Sequence, residues 1–82
     1  MRELLVICEH PKRDYETKKI LRLHDRDVED YERKILSLFR DTPFVFRQYQ
    51  IQAFNERFQE WVDIDSCQDL PADGGRLKLI VR

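Results

Sequence analysis

PFVFRQYQIQAFNERFQEWVDID, running from Pro43 to Asp65, is the densest block of strand-forming residues in the chain. Phe44, Val45, Phe46, Tyr49 and Ile51 lead it and Trp61, Val62 and Ile64 close it, which predicts two strands and a connection between them. Phe44 and Phe46 share one parity, Tyr49 and Ile51 the other, so a bulge is expected near Arg47-Gln48. The connection, Gln50 to Gln59, is polar and free of glycine, and acidic positions follow it. Phe44, Phe46, Trp61, Val62 and Ile64 are expected to serve folding, with Trp61 in the core.

Working outward, Leu4 to Cys8 is a short apolar run closed by Glu9-His10-Pro11, which predicts a central strand buried on both faces. Thr17 to Leu23 alternates, with Leu21 and Leu23 on one face and Lys18, Ile20 and Arg22 on the other, as an edge strand would. Val28, Tyr31, Ile35, Leu38 and Phe39 recur at helical spacing, with Leu36 at the margin of the stripe and Glu32, Arg33 and Lys34 in solvent. Asp27 is placed to cap that helix, and Glu29 and Asp30 suit the positive end of its dipole. Pro43 ends it near Arg40 or Asp41. Gln68 to Gly75 is a loop with Pro71 and a Gly74-Gly75 turn, and Arg76 to Val81 alternates as a closing strand. The first and last strands are the most continuously apolar, so they are expected side by side and parallel in the middle of the sheet. The fold class is α+β: a mixed sheet in the order β-β-α-β-β-β with one helix across it.

Eighty-two residues with 41% hydrophobic and 38% charged composition make one folded domain, spanning 1–82, with a modest core and a charged surface. A formal charge of −1 argues against a dedicated nucleic-acid binder. The two cysteines, Cys8 and Cys67, do not form a disulfide framework, which fits a reduced setting, cytoplasmic or nuclear. The opening apolar run is too short for a signal peptide or membrane helix. His10 and His24 are isolated, so no metal site is expected. Cys8 reads as core, and Cys67, among acids, is a poor nucleophile. Asp63 and Asp65 share a strand face without a neighbouring base, so no catalytic site and no cofactor are expected.

The helix from Val28 to Phe39, the Phe44-Val45-Phe46-Arg47-Gln48-Tyr49 strand, Glu60-Trp61-Val62-Asp63-Ile64 followed by Asp69-Leu70, and the closing Leu77 to Val81 together resemble the ubiquitin-like (β-grasp) superfamily. Within it the chain is most similar to the PB1 domain. The Leu70 to Arg76 passage is also similar to the DIX domain, another polymerising module. The resemblance implies a head-to-tail interaction module, the opening domain of a larger signalling or scaffold protein, in which an acidic face meets a basic one. In place of the family's Gly-containing acidic cluster stand Gln50 to Arg57, and the first strand lacks the family's lysine.

Charge is nonetheless polarised. Glu56, Glu60, Asp63, Asp65 and Asp69 are the acidic candidates, and Lys12, Arg13, Lys18, Lys19 and Arg22 the basic ones. Opposed faces of this kind would let a copy or related domain dock in one register. Phe54 and Phe58 are candidate apolar anchors. The alternative is a monomeric ubiquitin-like regulatory domain packing against other parts of a larger protein through Phe54, Phe58 and Ile20. A weaker third reading is nucleic-acid binding through the basic set.

Overall fold

The computed structural model describes residues 1–9, 16–40 and 48–81. Strand β1, Arg2–Glu9, alternates strictly. Leu4, Val6 and Cys8 are buried while Leu5 and Ile7 are only half-buried, so the strand is covered on one face, not both. The reason is that one short helix covers one side of the sheet and nothing among the described residues covers the other. β2, Glu16–Leu23, runs antiparallel to β1 with Leu4 opposite Leu21 and Arg2 opposite Leu23. Its Leu21 and Leu23 are buried, with Lys18, Ile20 and Arg22 exposed, as its alternation predicts.

β3, Tyr49–Asn55, and β4, Glu60–Asp63, form a hairpin, and β5, Arg76–Val81, closes the sheet. β5 pairs parallel with β1, Val6 opposite Leu77, and antiparallel with β3. The strand order is β2-β1-β5-β3-β4, so the first and last strands do lie side by side in the middle. Phe44, Phe46 and Arg47, and with them the expected bulge, lie outside the described residues. The expected connection from Gln50 to Gln59 is corrected: Gln50 to Asn55 belong to β3, leaving a turn at Glu56 to Gln59. The inward positions are Tyr49, Ile51 and Ala53, and the glutamines between them face solvent, which a polar-residue reading mistakes for a loop. Without glycine, the turn is closed by side chains. Asn55 Oδ1 accepts from the Phe58 N–H at 3.0 Å, and Gln59 takes the left-handed conformation at φ 55°.

The helical segment begins as a 3-10 turn, Asp25–Asp30, and continues as α1, Tyr31–Leu38. Asp27 is not the cap. The extended residue ahead of the first turn is His24, whose carbonyl accepts from the Asp27 N–H at 2.9 Å, so Asp27 sits inside the turn. Tyr31, Ile35 and Phe39 are buried against the sheet, and Val28, Leu36 and Leu38 pack at the margins. Lys34 is half-buried rather than in solvent.

The passage from β4 to β5 is anchored at several points. Ile64 and Leu70 are buried, and the 3-10 turn Cys67–Asp69 is capped by Ser66 Oγ, which accepts from the Gln68 N–H. Arg2 donates to the Pro71 carbonyl at 2.9 Å, the Gly74 N–H to the Glu3 carbonyl at 2.8 Å, and the Leu5 N–H to the Gly75 carbonyl at 3.0 Å. Gly74 holds φ 86°. A side chain at Gly75 would overlap Pro71 Cβ and stand 2.8 Å from its Cγ. Gly75→Ala is therefore expected to cost about 1–3 kcal/mol, measurable as a lower urea midpoint with unchanged slope.

Candidate protein-interaction surfaces

The two edges of the sheet are the charged strands. On β2, Lys18 and Arg22 point to the helix-free face, where Lys18 meets Glu16 at 3.6 Å and Arg22 meets Glu3 at 3.1 Å. Lys19 points the other way: its Nζ donates to the Leu38 carbonyl at 3.0 Å and stands 5.6 Å from the Phe39 ring centre. It ties the end of α1 to β2 and does not share a face with Lys18 and Arg22, as period-two alternation requires. Lys12 and Arg13 lie outside the described residues.

At the opposite edge the acids fall into two groups. Glu56 sits in the hairpin turn, 3.5 Å from Arg76, and Glu60 is exposed where β4 begins. Asp63 Oδ1 accepts from Gln50 Nε2, and from Gln52 Nε2 at 2.8 Å. Asp65 and Asp69 belong to the helix side, where Asp69 Oδ2 accepts from the Asp65 N–H at 3.4 Å. Asp63, Asp65 and Glu32 border one shallow hollow of about 260 Å³, so the two groups meet at Glu32.

That meeting point adjoins a larger groove of about 850 Å³ between α1 and the passage after β4. Glu29, Asp30, Glu32 and Asp65 line it with Tyr31 and Tyr49; Arg33 and Arg40 are its cations. Arg33 is held by Asp30 at 2.9 Å. The Tyr49 hydroxyl donates to Glu32 Oε2 at 3.0 Å. Burial pushes the Tyr31 phenol above its ordinary value, and the negative charges of Glu32, Asp65 and Asp69 push it the same way. Tyr49 is raised by burial and by its bond to Glu32. A folded-state pKa above the unfolded one adds stability below the ordinary tyrosine value of 10.0 and loses it as pH rises past that value. An alkaline titration should therefore show Tyr31 and Tyr49 ionising late, with stability falling only beyond about pH 10. Ionisation of every tyrosine at the ordinary value would contradict it.

Sequence reasoning missed Glu29, Glu32, Tyr31 and Tyr49 as site residues, because the first two read as helix-start or solvent charges and the tyrosines as framework. Only the fold brings them to Asp65.

On the helix-free face, Phe54 meets Trp61 edge-on with ring centres 5.3 Å apart. Arg76 lies 4.0 Å from the centre of the Phe54 ring and Lys78 lies 4.3 Å from that of Trp61. Trp61 is thus half-buried outside the core, since only one face of the sheet has a helix to pack on. Val62, expected to serve folding, is 46% exposed at the β4 edge. Phe58 stands in the turn at 65% exposure with Arg57 over its ring at 5.4 Å. Phe54 and Phe58 do not form one patch: the first is packed by its neighbours and the second projects.

Burial raises the Cys8 thiol pKa, and Cys67 is half-buried at the groove. Among the described residues no group of three or more His, Cys, Asp or Glu side chains could hold a metal ion. No described helix is long and apolar enough to cross a membrane. Comparison with family models, curated proteins and solved structures returns no match.

Proposed function

We propose that this chain is a PB1-like domain of the ubiquitin-like (β-grasp) superfamily and acts as a non-enzymatic protein-interaction module. It associates head to tail with a copy of itself or a related domain. The observation that carries this reading is the placement of the charges: β2, with Lys18 and Arg22, is one edge of the sheet, and β4, followed by Asp65 and Asp69, is the other. A donor edge and an acceptor edge on opposite sides of one domain permit an open chain of copies, because neither surface is used up by the other. The family's acidic cluster is replaced: residues 50–55 are strand, and the acidic end is built from Asp63, Asp65 and Asp69 with Glu32 of the helix. Such a module would work inside a larger signalling or scaffold protein in a reducing compartment, cytoplasmic or nuclear.

The test is molecular mass in solution against concentration. The mass should rise with concentration at low salt and return to that of one chain in ~1 M salt, which screens charges beyond about 3 Å. A mass that stays at one chain throughout favours the second reading, a monomeric regulatory domain docked on a larger protein. The exposure of Ile20 and Phe58 is what supports that reading.

A further inference from the structure

We infer that Ile20 of one copy of this chain, flanked by Lys18 and Arg22, seats in a hollow beside Val62 of the next copy, joining the two sheet edges through an apolar anchor set among opposite charges. The inference rests on the head-to-tail reading and adds the side chains that make the contact.

The exposed hydrophobic side chains carry the argument. Among the described residues the large ones are Met1, Ile20, Phe58 and Val62. Two of them lie on the two edge strands, Ile20 on β2 and Val62 on β4, each 46% exposed. Val62 stands opposite the buried Ala53, so it faces the helix side of the sheet. A hollow of about 410 Å³ opens there, and no residue of α1 lines it. Its apolar lining includes Ala53, Val62 and Pro71, and its charged residues are Glu56, Asp63 and Asp69, with no lysine or arginine. Arg76 meets Glu56 at 3.5 Å, but Asp63 and Asp69 have no ion pair among the described residues. Such a hollow suits an apolar group accompanied by cations.

Ile20 has that company. Lys18, Ile20 and Arg22 share one face of β2, with neighbours two residues apart spaced by about 6.6 Å. Glu60 and Val62 share the helix side of β4 at the same spacing. When Ile20 meets Val62, Glu60 therefore falls beside Lys18 or Arg22, whichever way the incoming strand runs. The pairs that Lys18 and Arg22 make with Glu16 and Glu3 are exposed, worth about 0.2–1 kcal/mol each, and yield readily to new partners. Phe58 is the wrong anchor for an open chain: it projects from the turn that carries Glu56, at the hollow's own end, so using it would pair copies about a two-fold axis and close the assembly. Because Ile20 points to the helix-free side and the hollow opens on the helix side, successive copies overlap at their edges and do not extend one sheet in its plane.

The experiment compares self-association at low salt, by sedimentation velocity, for the natural chain, Ile20→Ser, Val62→Ser, the double variant and Phe58→Ser. Ile20→Ser and Val62→Ser are each expected to weaken association about tenfold, the effect of losing one partly exposed aliphatic side chain from a buried contact. The double variant should lose little more than the weaker single one, because the two side chains share one contact. Phe58→Ser should associate as the natural chain does. If a serine variant does not fold, amide shifts of the natural chain on dilution decide the matter, with Ile20, Leu21, Ala53 and Val62 expected to move together. Association of the natural chain that Ile20→Ser and Val62→Ser leave unchanged, single losses that simply add in the double variant, an equal loss in Phe58→Ser, or dilution shifts centred elsewhere would overturn the inference and leave head-to-tail pairing standing. A natural chain that stays at the mass of one molecule at every concentration overturns both.

Discussion

Phe39→Ala is expected to lower stability by about 3–5 kcal/mol, whereas Phe58→Ala should change it by no more than about 0.5 kcal/mol. Phe39 directly follows α1 and is fully buried, and Lys19 lies over its ring. Truncating a buried phenylalanine removes its transfer free energy and leaves a cavity, together about 3–5 kcal/mol. A domain of this length has a total stability of about 4–12 kcal/mol, so one such loss takes a large share of it. Phe58 has the same side chain at 65% exposure, so its removal leaves no cavity. Urea denaturation of the two variants beside the natural chain checks the contrast. Equal midpoints would mean that α1 is not what closes the core.

The second large effect is on association. Lys18→Glu with Arg22→Glu reverses two charges at the β2 edge without touching the core, because both side chains are exposed and lose only their exposed pairs with Glu16 and Glu3. Each of those pairs is worth about 0.2–1 kcal/mol to the fold, while like charges facing each other across an interface cost several kcal/mol. Association should fall by about 100-fold or more at low salt. Lys19 is left alone on purpose: it bonds the Leu38 carbonyl, so its reversal would disturb α1 and confuse a binding effect with a folding one. Asp65→Lys with Glu60→Lys is the matching reversal at the other edge. Asp63 and Asp69 are avoided there, since their carboxylates accept hydrogen bonds that shape the edge.

The sheet order was legible because Leu4 to Cys8 and Leu77 to Val81 are the two most continuous apolar runs, and such runs belong in the middle of a sheet. The helix stripe and the alternation of β2 were legible for the same reason of periodicity. What escaped is local competition. Gln50 and Gln52 have weak strand preference, yet they fall on the solvent side of a strand whose other side is Tyr49, Ile51 and Ala53. The turn at Glu56 to Gln59 has no glycine to announce it, and Asn55 supplies the bond instead. The start of the helix moved because His24, extended and uncapped, precedes a 3-10 turn that absorbs Asp27. The acidic edge was legible as composition, but its split at Asp63 and Asp65 follows from where β4 ends. The groove was not legible at all: Glu29, Tyr31 and Glu32 on the helix meet Asp65 only through the tertiary fold.

Mixing the two charge-reversed variants tests head-to-tail pairing most directly. Each variant alone keeps one natural edge and has lost the other, and the two reversed edges are themselves complementary. Light scattering of each alone at low salt should give the mass of one chain, and the equimolar mixture should give a larger mass that ~1 M salt abolishes. A mixture that stays at the mass of one chain, while the natural protein associates under the same conditions, would contradict pairing through these two edges.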